Sequence, residues 1–326
     1  MPYLQKIGKL KRSWNTTVKR GNARTAPRGV CHLCLAGTQD LPCEDTSDNA
    51  CWIPTVGVQV PWDSMPGILR YLPHDRSHPG SFLQPDLWHC IHLGIGKAFL
   101  ASTLEVALET VPASNNEERF QWLTNHYHQW CRSVKRSSYV AKITAYLVSY
   151  GDGPGATGNW SKGSLTTNLA RRLEVLLNDL GGDQEGLLTI CGEAIKQLNN
   201  ALSFLYNAPL FLERLECEYV CSRGMYFVQT YSALASKCFA LNRSHLYPLF
   251  PKLHAVHHIF LTLHQQATNH GYGANPLAAS CQLDEDTIGR VARVSRRVSS
   301  RLVIRRTLQR HLMTSWQVWR DAGLLR

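Results

Sequence analysis

DLWHCIHLGIGKAFLASTLEVALETV, residues 86–111, is the stretch that decides the fold class. Leu87, Ile91 and Ile95 recur at the spacing of successive helical turns and therefore share one helix face. The stretch is too long for a strand, so the pattern predicts a helix over about 85–111.

Helical patterns recur along the rest of the chain, whereas strand signals are few. Further predicted helices cover 115–134, 164–181, 185–206, 209–219, 225–241, 246–266 and 284–319. The alternation of Val56, Val58 and Val60 is the clearest strand signal. The sequence therefore predicts a mainly α protein.

Composition favours a folded protein with a polyanionic partner. The chain has 326 residues, of which 44% are hydrophobic, enough for one large core or two smaller ones. The formal net charge is +11, and no acidic residue precedes Asp40. A basic excess of this size favours nucleic acid as the partner, and a soluble protein that is merely basic is an equal alternative on charge alone.

The cysteines are predicted to be reduced. Their number, 11, is odd, and the N-terminal sequence MPYLQKIGKLKRSW contains no long apolar run that would act as a signal peptide. No stretch approaches the roughly 20 apolar residues of a membrane span. We therefore expect no membrane partner and reduced thiols in the nucleus or the cytoplasm, some of them binding metal.

Two short motifs predict a zinc site. Cys31 and Cys34 are separated by two residues, a spacing that lets both thiolates bind one Zn²⁺. His254 and His258 in PKLHAVHH are four apart on a predicted helix, so both imidazoles project from one face. The alternative is a chance CxxC pair with free thiols and surface histidines.

A second motif begins the helix at 86–111. Asp86 and His89 share a helix face, and an aspartate beside a histidine sets its tautomer. The alternative is that Asp86 caps the helix N-terminus, where the helix dipole favours a carboxylate.

The charge pattern near the C-terminus predicts a DNA-binding helix. Three adjacent carboxylates, Asp284, Glu285 and Asp286, could hold Mg²⁺ or simply form an acidic first turn. An arginine stripe follows, and no acid occurs before Asp321. The predicted DNA-binding residues are Lys9, Lys11, Arg12, Lys19 and Arg20 near the N-terminus and Arg290, Arg293, Arg297, Arg301 and Arg305 in the stripe.

In order and spacing these motifs resemble the CACTA-like and Plavaka-like DDE transposases and, more distantly, the Transib-type recombinases. DLWHCIHLGIGKAFL is similar to the D-x-M-H block of that family, with Trp88 in place of methionine, and PKLHAVHH is similar to its PK-x-H-x-x-x-H block. The resemblance touches residues 1 to about 310, in islands.

The resemblance implies an RNase H-like catalytic core with a large helical insertion over about 100–250. In that family three carboxylates bind two divalent ions for phosphoryl transfer on DNA. It further implies zinc on the Cys31, Cys34, His254 and His258 set. Glu285 would be the final catalytic acid, with Asp284 or Asp286 as alternatives. Asp86 and His89 are assigned a supporting role beside it, and a helix cap or a DNA contact are their alternative roles.

The chain departs from the family at its first two catalytic aspartates. They should lie before or near the start of this chain, where no acid precedes Asp40. We therefore expect a truncated transposase without activity, in which Mg²⁺ or Mn²⁺ binds only if a complete site is restored. An upstream exon that supplies the missing aspartates is the alternative.

The predicted fold is a mainly α remnant of an RNase H-like core with a zinc-clasped N-terminal loop. The predicted segments are a basic, cysteine-containing arm (1–80), a D-x-x-H helical segment (81–150), a linker (151–164), a helical insertion (165–250) and a segment with the histidine pair and the acidic and basic C-terminal helix (251–326). The predicted function is that of a nuclear, transposase-derived DNA-binding fragment, which could form a homo-oligomer. The alternatives are a domesticated regulatory protein and a helical zinc-binding interaction module unrelated to transposases.

Overall fold

The chain forms two compact units, Met1–Ala279 and Ser280–Arg326. The computed structural model describes residues 30–38, 40–58, 67–151, 155–180 and 186–325, without the side chains of Ile68, Leu283 and Asp286. The division between the units falls inside the predicted 251–326 segment.

The first unit is mainly helical, which confirms the predicted class. Its helices are α1 (Leu87–Cys90), α2 (Gly96–Thr110), α3 (Asn116–Ser133), α4 (Ala145–Val148), α5 (Gly163–Leu180), α6 (Leu187–Asn207), α7 (Arg214–Ala240) and α8 (Pro251–His270). Short 3₁₀ turns occur at Ile53–Thr55, Gly67–Arg70, Pro79–Phe82 and Pro276–Ala279.

One small sheet accompanies these helices in the described part of the chain. Strands β1 (Phe211–Glu213) and β2 (Tyr272–Ala274) pair antiparallel, with Leu212 opposite Gly273. An RNase H-like core is built on a larger sheet, and the described residues do not confirm one.

The strand predicted at Val56, Val58 and Val60 does not form in the described residues. Val56 lies in a turn and Val58 in a bend, and Val60 is outside the described residues. Gly57 between them has a φ of +77°, in the left-handed region that turns the chain out of an extended path. Alternating valines therefore predicted a strand that the intervening glycine prevents.

Helix α2 and the turn that precedes it form the centre of the core. The expectation that no stretch approaches a membrane span is wrong by length and composition, because Leu87–Thr110 is long and apolar enough to cross one, but 89% of an 18-residue stretch within it is buried inside the protein. Phe99 packs edge-on against Phe227 of α7 at a ring-centroid distance of 5.1 Å. The apolar periodicity of 86–111 thus reflects burial within the first unit.

A kink separates α1 from α2. Residues Ile91–Ile95 form a π-helical turn in which Leu93 and Gly94 leave helical geometry. The Lys252 ammonium of α8 donates to the carbonyl oxygens of His89 (3.1 Å), just before this turn, and Leu93 (3.0 Å), within it. Through this lysine, the D-x-x-H block and the PKLHAVHH block pack together.

Helix α7 runs unbroken through a region where the sequence predicted two helices, 209–219 and 225–241. Glu213 and Glu216 form a capping box at its start. Gly224 lies between the two predicted helices, and it permits close approach: a Cβ there would lie 2.2 Å from the Phe260 ring of α8. The missing side chain therefore lets α7 and α8 pack together.

We expect Gly224→Ala to destabilise the protein. The added methyl group cannot fit against Phe260 unless the ring or a helix shifts, and such overpacking costs about 1–3 kcal/mol. Gly192→Ala in α6 is the matched control, because its Cβ would meet Leu177 at an ordinary 3.7 Å. Urea unfolding should place the G224A midpoint below that of G192A, and equal midpoints would contradict the packing described above.

The second unit contains two helices where the sequence predicted one over 284–319. They are α9 (Gln282–Ser295) and α10 (Val303–Asp321), separated by a 3₁₀ turn at Ser300–Leu302. Ser299 has an extended backbone (φ −55°, ψ 137°), which ends the helical path. Serine side chains compete for backbone hydrogen bonds, so serine favours helix boundaries. The sequence prediction followed the apolar periodicity, which continues on both sides of Ser299, and therefore gave one helix.

Candidate metal centre

An irregular loop at residues 30–58 carries the two cysteines. The loop has a small core of its own, formed by Cys31, Cys34, Ala36, Ala50 and Trp52, and the partly buried Leu261 of α8 packs against it. Gln229 of α7 also binds it, donating to Asp48 at 2.9 Å. The loop is thereby docked on α7 and α8.

Each cysteine sulfur accepts a backbone hydrogen bond from two residues further along. The amide of Leu33 donates to Cys31 Sγ at 3.3 Å, and the amide of Ala36 donates to Cys34 Sγ at 3.4 Å. Donors directed at sulfur stabilise the thiolate form, which is the form that binds metal.

The two histidines project from one face of α8, one helical turn apart. His254 and His258 are 3% and 1% exposed, so neither is a surface residue. The part of the alternative that places these histidines on the surface is therefore wrong. Helical spacing sets the relation between the imidazoles, and docking of the loop brings the thiols to them.

The four side chains meet around one point. Cys34 Sγ lies 3.2 Å from His254 Nε2 and 3.3 Å from His258 Nε2, and Cys31 Sγ lies 3.4 Å from His258 Nε2. All four ligand atoms are within 4.8 Å of one another. Sulfur and nitrogen ligands of one tetrahedral Zn²⁺ lie about 3.5 Å apart, so the cluster fits zinc.

The protonation states also suit a metal. Burial raises the pKa of the Cys31 thiol, but hydrogen bonds with Cys34, His254 and His258 outweigh it, and the pKa lies well below its ordinary value. Burial is the main cause that lowers the pKa of His254. A thiolate beside neutral imidazoles is what Zn²⁺ binding requires.

Trp52 packs against the histidines, a role that the sequence pattern did not indicate. Its ring is fully buried, and its centroid lies 4.4 Å from that of His254 and 4.8 Å from that of His258. Its Nε1–H donates to the carbonyl oxygen of Asp45 at 2.9 Å. The tryptophan therefore shields the cluster from water and fixes the imidazole planes.

Asp86 both caps a helix and binds His89, so the two roles that the sequence suggested as alternatives occur together. Asp86 caps α1 by accepting from the amides of Trp88 (2.8 Å) and His89 (3.3 Å), and its other oxygen accepts from His89 Nδ1 at 2.5 Å. Because this bond holds the proton on Nδ1, it sets the tautomer of His89. Their support of a catalytic acid stays a prediction.

The predicted catalytic acids lie in the second unit. Asp284 and Glu285 are exposed in the first turn of α9, where the helix dipole favours carboxylates. The side chain of Asp286 lies outside the described residues. A catalytic role for any of the three stays a prediction.

The predicted DNA-binding residues are distributed over several elements. Lys9, Lys11, Arg12, Lys19 and Arg20 lie outside the described residues. Arg290 and Arg293 are on α9, Arg297 follows it, Arg301 is in the 3₁₀ turn and Arg305 is on α10. The single stripe predicted from the sequence is therefore divided by the turn after α9.

Part of that stripe instead lines a basic concavity between α9 and α10. The concavity has a volume of about 600 Å³ and is lined by Arg290, Arg293, Arg297 and Arg310, together with Val294, Met313 and Thr314. The Arg310 guanidinium donates to the carbonyl oxygen of Arg297 at 3.2 Å. Arg310 was missed from the sequence, because only the turn between the helices brings it to the others.

The fold and the cluster define a mainly helical protein with a buried Cys2His2 site compatible with structural zinc. Comparison with known proteins adds no closer identification: no family model, no curated protein and no solved structure matches the chain.

Proposed function

We propose that this chain is a transposase-derived DNA-binding protein that a structural Zn²⁺ holds together and that does not itself cut DNA. The observation that carries the proposal is the meeting of Cys31 and Cys34 with His254 and His258. CxxC and H-x-x-x-H motifs in this order are what the resemblance to DDE transposases led us to expect.

The metal would have a structural role. Four protein ligands complete a tetrahedral Zn²⁺ and leave no open position for water or substrate. The ion would fix the loop at 30–58 to α8 and, through Lys252 of the same helix, to the kink between α1 and α2. The thiolates and imidazoles hold the ion, and it supplies charge and rigidity.

DNA binding would depend on the basic concavity. Nine arginines and no acid lie between Asp286 and Asp321. Arg290, Arg293, Arg297 and Arg310 line one concave surface, and guanidinium groups pair with phosphate in a bidentate manner. Such a surface suits the phosphate backbone of DNA, and a DNA-binding role would place the protein in the nucleus.

The proposal that the chain does not cut DNA rests on the carboxylates that such a reaction requires. A two-metal site for phosphoryl transfer needs several carboxylates around adjacent ions. In the described part of the first unit, the Cys2His2 cluster is the one group of three or more side chains that could together hold a metal ion. We therefore propose binding without cleavage, so that added Mg²⁺ or Mn²⁺ should produce no nicking of duplex DNA by this chain.

DNA binding by the concavity predicts a change in salt dependence. We expect Arg293→Gln/Arg297→Gln to weaken binding to duplex DNA. The slope of log K against log [salt] should become shallower by about 0.9 for each phosphate that the protein no longer neutralises, hence by nearly 2. The slope is measured by fluorescence anisotropy between about 50 and 200 mM salt, the range over which phosphate neutralisation strongly affects affinity.

The matched control removes the same charge elsewhere. Arg70→Gln/Arg76→Gln changes two exposed arginines of the first unit, outside the concavity. Equal slopes in the two double variants would mean that net charge alone attracts DNA. Absence of DNA binding by the unmodified, zinc-loaded protein would exclude the proposed function.

A zinc-binding interaction module unrelated to transposases is the second candidate. The observation that favours it is the apolar surface of α10, where Ile304 is 84% exposed and Met313 71% exposed. Sequence-specific footprinting separates a domesticated regulator from a fragment that binds DNA without preference. Zinc content without any DNA binding would support the interaction module.

A further inference from the structure

The second unit has almost no interior. Among its described residues, Thr307 alone is buried. Isolated helices of this length are marginal in water, and most helical stability in proteins comes from burying an apolar face. The pair α9 and α10 therefore presents an apolar face that a further element could cover.

That face is a stripe along α10, which we name the apolar stripe. It consists of Ile304, Leu308, Leu312, Trp316 and Trp319, spaced by three or four residues so that they share one side of the helix. Each of the five side chains is more than half exposed. A contiguous apolar surface with two tryptophans is typical of a protein interface.

A groove adjoins the apolar stripe. It lies between α9 and α10 and has a volume of about 340 Å³. Its lining consists of Val291, Ser295, Val303, Ile304, Thr307, Leu308 and His311. A lipid surface is broad and would not fill a groove, whereas an apolar side chain of a docked helix would. Amphipathic helices commonly bind by inserting such side chains into grooves.

The positive charge around the apolar stripe indicates which kind of helix would bind there. Arg305 lies one turn before Leu308 and two turns before Leu312, so it borders the apolar stripe. Nine arginines and no acid between Asp286 and Asp321 make a second copy of this unit repulsive. A partner whose polar face carries glutamate and aspartate would be attracted and oriented.

We propose that the apolar stripe and its groove bind an amphipathic α-helix of another protein, one whose polar face is acidic. The surface is distinct from the basic concavity, since Arg290, Arg293, Arg297 and Arg310 do not line the groove. The inference therefore does not rest on the proposed DNA binding, and the two partners need not compete.

The test uses the full chain and a synthetic peptide. The probe is a fluorescein-labelled helix of about five turns, with leucines at i, i+3, i+4 and i+7 and glutamates on the opposite face. The variant Leu308→Gln/Leu312→Gln removes two residues of the apolar stripe. The control Leu215→Gln/Leu249→Gln removes two exposed leucines of the first unit, and circular dichroism checks the helix content of all proteins.

Binding of the peptide should be saturable for the unmodified protein and the control, and at least about tenfold weaker for L308Q/L312Q, as for loss of an interface hot spot. A peptide with lysine in place of glutamate should also bind at least about tenfold more weakly. DNA affinity should be the same in all three proteins, which separates this result from that for the basic concavity.

Three outcomes would overturn the proposal. The first is a peptide that does not bind the unmodified protein or binds the stripe variant equally well. The second is sedimentation that gives a dimer abolished by L308Q/L312Q, which would identify a second copy as the occupant. The third is stripe-dependent binding to vesicles of phosphatidylcholine and phosphatidylserine without peptide binding, which would identify a lipid surface.

Discussion

The Cys34→Ser variant should purify without zinc and unfold far more readily than the unmodified protein. Cys34 Sγ contacts both imidazoles, at 3.2 and 3.3 Å, and a serine hydroxyl is a poor zinc ligand. Structural Zn²⁺ contributes an apparent free energy on the order of 10 kcal/mol in small domains, so this is the largest single effect we expect. His258→Ala should act in the same way.

Metal analysis of the purified protein is the primary measurement, with about one zinc per chain expected for four protein ligands. Two substitutions match the chemistry but lie outside the cluster. Cys51→Ser changes an exposed cysteine of the same loop, and His264→Ala changes an exposed histidine of the same helix. Both should retain full zinc content. If zinc in C34S equals that in C51S, or the unmodified protein carries none above background, the metal site is refuted.

Trp52→Ala should give the second largest loss of stability. The side chain is fully buried, packs on the imidazoles of the cluster and donates to the Asp45 carbonyl. Truncation of a buried tryptophan costs about 3–5 kcal/mol, because it removes apolar burial and leaves a cavity. The loss is measured by urea unfolding of the zinc-loaded protein.

Two control variants show whether the effect of Trp52→Ala is specific to this buried tryptophan. Trp52→Phe keeps an aromatic ring but loses the Nε1–H donor, so it should cost less than W52A. Trp316→Ala changes a half-exposed tryptophan of α10 and should stay within about 0.5 kcal/mol of the unmodified protein. Zinc release to a chelator should be about tenfold faster for W52A than for W316A, since the shell around a metal site controls its access to water. Equal release rates would show that Trp52 does not shield the cluster.

Both substitutions test one arrangement, in which distant parts of the chain are held together. Cys31 and His258 are 227 residues apart in sequence, and the entropic cost of closing so long a loop grows only slowly with its length. The loop at 30–58 has a core of a few residues, too small to be stable by itself. Zinc and Trp52 together would therefore supply most of the free energy that docks it.

Local features of the fold were predictable. Helix α3 begins where Asn115 caps it by accepting from the Glu118 amide at 2.9 Å, and the sequence placed the helix start there. Asp86 caps α1 as one of its two interpretations required. Such features depend on residues within one or two turns, so sequence spacing alone specifies them.

Features that depend on packing were missed or misplaced. The sequence predicted two helices where α7 is continuous, and Gly224 between them serves the approach of Phe260 from another helix. Arg310 joins Arg293 and Arg297 only because the chain reverses at the 3₁₀ turn before α10. Trp52 lies in an irregular loop without periodicity, so nothing in the sequence distinguishes it from a surface tryptophan.

The sequence by itself determined the helical class, the helical positions of His254 and His258, and the types of the four candidate ligands, because helix periodicity and ligand chemistry are local properties. Only the tertiary structure decided that the thiols reach those histidines, that Trp52 covers them, and that α9 and α10 form separate helices with a basic concavity and an exposed apolar stripe. Contacts between residues far apart in the chain depend on how complementary surfaces pack, and spacing along the sequence carries no record of that packing.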